Sequence, residues 1–242
     1  MAAQRFFLQR LASTRAGRRL AREIVAQARA TLTGEERIPR SGGALLVGNH
    51  ALGGLDAFPL TALLALRTGR IPRFLGDRNL WQIPGLSALL GAVGAVPGTP
   101  EAAVRLLEAG EMVCVSPGGI DDSFKLSSEA YTLEWGARRG FARVAMQARV
   151  PVLPIAATGV DELFEVRRRE QVIGRWFGGA PRYDVPVPEN LLPRRIPLAY
   201  HVLEAIDTSG DPADEAAVER VRRATLTAME SVLDPYRARL RG

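Results

Sequence analysis

The chain has 242 residues, 47% of them hydrophobic and 24% charged, enough for one large domain with a buried core. Its formal charge is +6, and every cation but Lys125 is arginine, a balance that fits anionic partners such as phospholipid headgroups. One cysteine, Cys114, excludes an internal disulfide and a cysteine zinc site, and an aromatic content of 6% with no recognition motif argues against nucleic acid.

Residues 4–33 are predicted to be helical. Phe6, Phe7, Leu8, Leu11, Leu20, Ile24, Val25 and Leu32 are spread along the segment. Seven arginines (Arg5, Arg10, Arg15, Arg18, Arg19, Arg22 and Arg29) lie between them, against one acid, Glu23. Such a helix suits an anionic membrane interface; the alternative is a helix packed on the domain with a solvated arginine face. Its apolar residues are too scattered for a signal core, and no apolar run in the chain reaches the roughly 18–20 residues that span a bilayer. The chain divides into this basic segment, 1–40, and a domain, 41–242.

From residue 44 short apolar runs alternate with helical stretches. "ALLVG" (44–48) reads as a buried strand. "DAFPLTALLALRTG" reads as a helix, with Asp56 near its start and Gly69 at its stop. "IPRFLG" (71–76) and "GAVGAV" (91–96) read as strands around a helix "GLSALL". "TPEAAVRLLEAG" has Thr99 as N-cap, Pro100 in the first turn and Gly110 as C-cap. "EMVCVS" is a strand, "GARRGFARVAMQAR" a helix and "PVLPIAAT" a strand. "VRRRE" (166–170) is a short basic run on a solvated face, and residues 178–197 form an irregular, proline- and glycine-rich excursion. "LAYHVLEAID" (198–207) is a late strand, and a helix opening at Ser209 or Asp211 runs to about Leu240. The alternation predicts an α/β fold: a single layered domain with a central, mostly parallel sheet flanked by helices, preceded by the N-terminal amphipathic helix.

Two constellations carry chemistry. The first is "GNHALGGLD". His50 follows a strand, at the sheet edge where α/β proteins bind ligands. Gly53 and Gly54 let the chain fold back so that Asp56 can orient the ring, leaving its other nitrogen to take a proton from a hydroxyl. The alternative is a histidine capping the helix. The second is "VCVSPGGIDDSFK", where a strand runs into a Gly-Gly turn whose backbone N–H groups can donate to an oxyanion or a phosphate; the alternative is a plain strand-ending turn. Ser116 lacks the Gly-x-Ser-x-Gly setting of a hydrolase nucleophile, because Cys114 stands where the first glycine would be. No metal-ligand spacing is present. His201, alternating with apolar residues, reads as solvent-facing or as a satisfied core residue, and Cys114 as a buried core residue.

The order "VGNH…D", "GAVGAVPGTPEAAVRLLEAGE", "VCVSPGGIDDSFK", "ARVPVLPIAATG" resembles the glycerolipid acyltransferases, typified by 1-acylglycerol-3-phosphate acyltransferase. The Pro-Gly-Gly places it nearer the diacylglycerol acyltransferase-like branch. The resemblance covers about residues 40–160. It implies an O-acyltransferase with His50 as general base and Asp56 supporting it. It also implies Asp122, with Gly118 and Gly119, at the acceptor. Asn49 is assigned to substrate contact; Arg73, Arg78 and Lys125 are candidates for the donor's phosphates, with a solvated surface role as the alternative for each. The donor would be acyl-CoA or acyl-carrier protein, the acceptor a lipid alcohol, and neither metal nor bound cofactor is implied. The setting would be the inner, cytoplasmic face of the cell membrane, with the protein peripheral on its anionic surface. Five residues separate His50 from Asp56, where four are commonest, and the extra residue fits the Gly-Gly turn. Asp121 and Pro100 stand where the family often has arginine, which favours a neutral acceptor. An acyl-thioester hydrolase and a non-catalytic membrane-lipid-binding protein are the alternatives.

Overall fold

Among the described residues seven strands form the main sheet, in the order Thr31–Thr33, Ala199–Val202, Val152–Thr158, Ala44–Gly48, Met112–Val115, Arg73–Gly76, Val96–Pro97. A computed structural model describes residues 13–77, 90, 94–170 and 185–241. The strands are β1 (Thr31–Thr33), β2 (Ala44–Gly48), β3 (Arg73–Gly76), β4 (Val96–Pro97), β5 (Met112–Val115), β6 (Val152–Thr158) and β9 (Ala199–Val202). A separate two-stranded antiparallel ribbon joins β7 (Val166–Glu170) to β8 (Val185–Pro188). In the main sheet β6, β2, β5, β3 and β4 run parallel. β9 runs against β6, and β1 runs with β9.

The centre follows from the sequence. Every residue of β2 and of β6 is buried, as expected of continuous apolar runs covered on both faces. The helices are α1 (Arg15–Gln27), α2 (Ala57–Arg67), α3 (Pro100–Glu108), α4 (Gly119–Ser123), α5 (Gly140–Ala148) and α6 (Glu215–Arg241). α3 begins as its residues dictate: Thr99 Oγ1 accepts from the Ala102 N–H at 3.2 Å, Pro100 follows, and Gly110 ends the turn at φ 79°. α3, α5 and α6 pack in series, with α6 against β6, while α1 packs on α2. α1 buries Ala21 and half-buries Ile24 and Val25, leaving Arg15, Arg18, Arg19 and Arg22 exposed.

The structure corrects several readings. The helix predicted over 4–33 ends at Gln27 in the described residues, and Thr31–Thr33 is instead the sheet's edge strand, within the segment assigned to 1–40. Its register against β9 sets Thr33 beside His201, whose Nδ1 lies 3.0 Å from Thr33 Oγ1. "VRRRE" is a paired strand, and the excursion predicted over 178–197 contains its partner, β8. The strand predicted at 91–96 is Val96–Pro97 in the described residues, and the last helix opens at Glu215, after turns at 211–214. Residues 4–12, 85–89 and 91–93, part of 178–197, and Arg78 lie outside the described residues.

Candidate active site

Asn49 ends the sheet and begins the site. Backbone pairing of β2 with β6 reaches Gly48 opposite Ile155. The next contact is made by a side chain: Asn49 Nδ2 donates to the Ala157 carbonyl and Oδ1 accepts from the Ala157 N–H, both at 2.9 Å. The carboxamide stands in for a peptide group, so the main chain can leave the sheet while remaining tied to it. His50 is the first residue beyond that tie. Asn49 is 4% exposed with both amide atoms engaged, so it positions His50 instead of contacting substrate as assigned above. Asn49→Ala removes both partners from a buried peptide unit. A loss of roughly 2–4 kcal/mol is expected in chemical denaturation, at about 1–3 kcal/mol per unpaired group. Unchanged stability would show that the pair is dispensable.

After His50 the chain turns at Gly53 and Gly54, with φ of 69° and 68° and no atom within 4 Å of where a Cβ would stand. The glycines therefore serve the left-handed backbone and not a close approach. Asp56 closes the turn. Its Oδ1 accepts from the Ala51 N–H at 2.8 Å, and its carbonyl accepts from the Tyr200 hydroxyl at 2.7 Å. Ser123 Oγ donates to the Ala51 carbonyl at 3.1 Å. Asp56 precedes α2 without its side chain capping the helix. Burial pushes its carboxyl above the ordinary range, while the charge of His50 and the Ala51 amide pull the other way. Among the described residues, His50 hydrogen-bonds through Nε2 to the Gly119 carbonyl at 3.2 Å, and not to Asp56. A carbonyl only accepts, so that contact needs a hydrogen on Nε2.

The Pro-Gly-Gly turn forms the opposite wall. A Cβ on Gly118 would lie 2.2 Å from Asp122 Cβ and 2.8 Å from its Cγ, so any side chain there would displace Asp122. Gly119, at φ 57°, offers its carbonyl to His50 while its N–H donates to the Ser116 carbonyl at 2.9 Å. That amide is therefore engaged within the turn and not offered to an oxyanion. Asp122 is fully buried under the turn; its Oδ1 accepts from the Glu134 N–H at 3.3 Å, and its Oδ2 has no partner. It supports the turn from beneath, where the resemblance had it meeting the acceptor.

Two of the assigned cations are buried. Lys125 is interior, its side chain 4% exposed, with Nζ 3.3 Å from Asp122, 3.1 Å from Asp161 and 2.9 Å from the Thr132 carbonyl. Burial opposes its charge, but Asp161 and Asp122 outweigh that and hold its pKa above the ordinary range. Arg73 is buried and pairs in register with Val113, which pairs with Leu45, three residues short of Gly48; it lies mid-sheet and away from His50. Asp121, where an arginine is common, forms an ion pair with Arg138. Among the described residues no three His, Cys, Asp or Glu side chains converge to hold a metal ion.

The sequence reading missed Tyr200, Ser123, Asp161 and Tyr131. Tyr131 is buried at φ 62°, an unusual conformation for a residue with a side chain. It is held there by three bonds: its N–H to Asp161 at 2.6 Å, its hydroxyl to Glu162 at 2.7 Å, and the Gly159 N–H to its hydroxyl at 2.8 Å. These bonds fix the 159–162 turn that carries Asp161. A cavity of about 20 Å³ lies beside the site, where Leu52, Val160 and Phe164 meet the polar Ser123, Lys125 and Asp161. The one signal available for Asp161 was an acid shortly after a strand's carboxyl end. Cys114 lies in β5, buried, and burial with the nearby Asp56 charge pushes its thiol up to about 12. A thiol-alkylating reagent at mildly alkaline pH is expected to leave the native chain unmodified and to add one group after unfolding, read by intact mass. Modification of the folded chain would contradict this burial.

The sequence model of the family described as "Acyltransferase" matches residues 29–158, a span that holds His50, Asp56 and the Pro-Gly-Gly turn. The chain belongs to this acyltransferase family. It is 29% identical over 213 residues to a cattle (Bos taurus) protein named "DGAT1/2-independent enzyme synthesizing storage lipids", covering 84% of this chain and 63% of that one. The human (Homo sapiens) protein of that name is 37% identical over 131 residues, 54% of this chain and 40% of its own length. The chain thus spans less than two thirds of either relative. Among solved structures, the 1-acyl-sn-glycerophosphate (LPA) acyltransferase PlsC of Thermotoga maritima shares the fold. Its TM-score is 0.53 at 18% identity, over 94% of this chain and 88% of that one. Among the described residues no helix of this acyltransferase is long and apolar enough to cross a membrane.

Proposed function

We propose that this acyltransferase moves a fatty acyl group from an acyl thioester, acyl-CoA or acyl-carrier protein, to the hydroxyl of a neutral glycerolipid or other lipid alcohol. The observation that carries the reading is His50 Nε2 facing Gly119 across the site, with Asp56 buried behind the same turn. The acceptor hydroxyl replaces the Gly119 carbonyl at Nε2; with that contact gone the neutral ring carries its one hydrogen on Nδ1, and Nε2 takes the hydroxyl's proton. The acceptor oxygen attacks the thioester carbonyl, the C–S bond breaks, the ester forms, and the departing thiolate takes the proton from the imidazolium. Asp56 favours that imidazolium electrostatically. The charges among the described residues support a neutral acceptor: Asp121 is paired with Arg138, Lys125 is paired in the interior, and Arg73 is buried in the sheet. Relatives named for storage-lipid synthesis fit that choice. The exposed arginines of α1 suit an anionic membrane, with the protein peripheral on the inner face.

The test is thiol release and ester formation from long-chain acyl-CoA, and separately from acyl-carrier protein. The acceptor panel is lysophosphatidate, monoacylglycerol, diacylglycerol and long-chain alcohols. Acceptor-dependent release favouring the neutral lipids is expected. Preference for lysophosphatidate would overturn the neutral acceptor, and full release without acceptor would make the protein a hydrolase.

A further inference from the structure

Two adjacent leucines are held out into water. Leu191 is 94% exposed and Leu192 79% exposed, at the tip of the 189–196 loop. Single exposed leucines are ordinary on protein surfaces, but this pair is held in place from both sides. Asn190 Oδ1 accepts from the Glu165 N–H at 2.8 Å, and its Nδ2 donates to the Leu163 carbonyl at 2.9 Å and the Leu192 carbonyl at 2.7 Å. The Glu189 N–H donates to the Glu165 carbonyl and the Arg194 N–H to the Leu163 carbonyl, both at 2.8 Å. Pro193 stiffens the far side. The tip cannot fold back on the domain without breaking these bonds.

The loop lies on the rim of the candidate site. Its anchors, Leu163 and Glu165, follow the carboxyl end of β6, and Phe164 between them lines the cavity with Leu52 and Ser123. Leu55 (39% exposed) and Phe58 (47%) flank Asp56 at the carboxyl end of β2. Among the described residues six large apolar side chains are exposed, and these four share the end of the sheet where His50 sits; Leu20 and Leu240 are the others. The surrounding charge is basic. Across 165–170 and 189–195, Arg167, Arg168, Arg169, Arg194 and Arg195 stand against Glu165, Glu170 and Glu189. Glu165 binds Arg167 and Arg194, Glu189 binds Arg167, and Glu170 binds Arg168. Arg169 binds Glu129. Arg195, exposed and three residues from Leu192, has no such partner among the described residues.

We propose that the 189–196 loop is a membrane contact separate from α1: Leu191 and Leu192 enter the acyl boundary of an anionic bilayer, with Arg195 at the headgroups. Leu55 and Phe58 meet the same surface, so the carboxyl edge of the sheet faces the lipid. Apolar tips flanked by arginine fit a surface with an apolar interior and anionic heads. The proposal deepens the lipid-acceptor reading and rests on it only for the direction from which the acceptor arrives.

The test is sedimentation of the full chain with vesicles of phosphatidylcholine, with and without phosphatidylglycerol. Leu191→Ser/Leu192→Ser is expected to need roughly tenfold more anionic lipid for half binding, while its far-UV circular dichroism and its transfer to a water-soluble short-chain acceptor match the parent. In parallel, Leu192→Cys carrying an environment-sensitive fluorophore should shift its emission to the blue when anionic vesicles are added; the parent, with only buried Cys114, is the labelling control. Equal lipid affinity of parent and double variant with no emission shift overturns the proposal, as does a parent that binds no vesicles. Leucine-dependent vesicle binding in a chain with no transfer to any acceptor would uphold the contact and sink the catalytic reading instead.

Discussion

His50→Ala is expected to lower acyl transfer by roughly 10²- to 10⁴-fold, the usual contribution of a positioned general base. The fold should survive, because the ring is half-buried and makes one hydrogen bond, to the Gly119 carbonyl. The ties that shape the turn belong to its neighbours: Asn49 to Ala157, Asp56 to Ala51, Ser123 to Ala51 and Tyr200 to Asp56. The measurement is turnover with the best acceptor of the panel, set beside thermal unfolding of the same preparation. A variant that unfolds like the parent and still transfers at a near-parental rate would remove His50 from the chemistry.

Lys125→Met is expected to cost about 3–5 kcal/mol of stability, the range for stripping one member from a buried ionic cluster. The reason is what remains behind. Asp122 is fully buried and Asp161 nearly so, and each loses its cation. Asp122 Oδ2 already lacks a partner, and its Oδ1 would keep only the Glu134 amide. The denaturant midpoint should fall with little change in slope. Adding Asp161→Asn to Lys125→Met should recover part of the loss, since one uncompensated charge disappears. If both variants unfold like the parent, the cluster holds nothing together.

Those two residues show what could be read before the structure. The place of His50 at the end of β2 was legible because a histidine after an unbroken apolar strand, followed by two glycines and an acid, admits few arrangements. The interior place of Lys125 was not legible, because a lone lysine after two acids looks accessible to a phosphate or to solvent. Its burial depends on Asp161, 36 positions later, and no local pattern links the two. Asn49 is a related case: a polar residue beside His50 looks available until β6 is set against it and Ala157 takes both ends of its amide. Long elements came through. β2, β6 and α3 carry their own apolar runs or caps, whereas Thr31–Thr33 is too short to interrupt a helical pattern, and β7 owes its existence to pairing with β8. The parallel sheet was legible from alternation, but the reversed direction of β9 against β6 was not, since strand direction leaves no mark in composition.

The pairing of β1 with β9 also sets an order of events during synthesis. Thr33 and His201 are 168 positions apart, so the first strand made is joined by the last. At about 5–20 residues per second, translation separates them by on the order of ten to thirty seconds. Through that interval β1 has no neighbour, and once β6 is made its outer edge, a buried strand of seven residues in the finished fold, stays open until β9 follows. An unpaired apolar edge is a template for pairing with another chain. The nascent protein is thus most prone to aggregate just before its final strand emerges, and a chain released short of Ala199 would keep that edge open permanently.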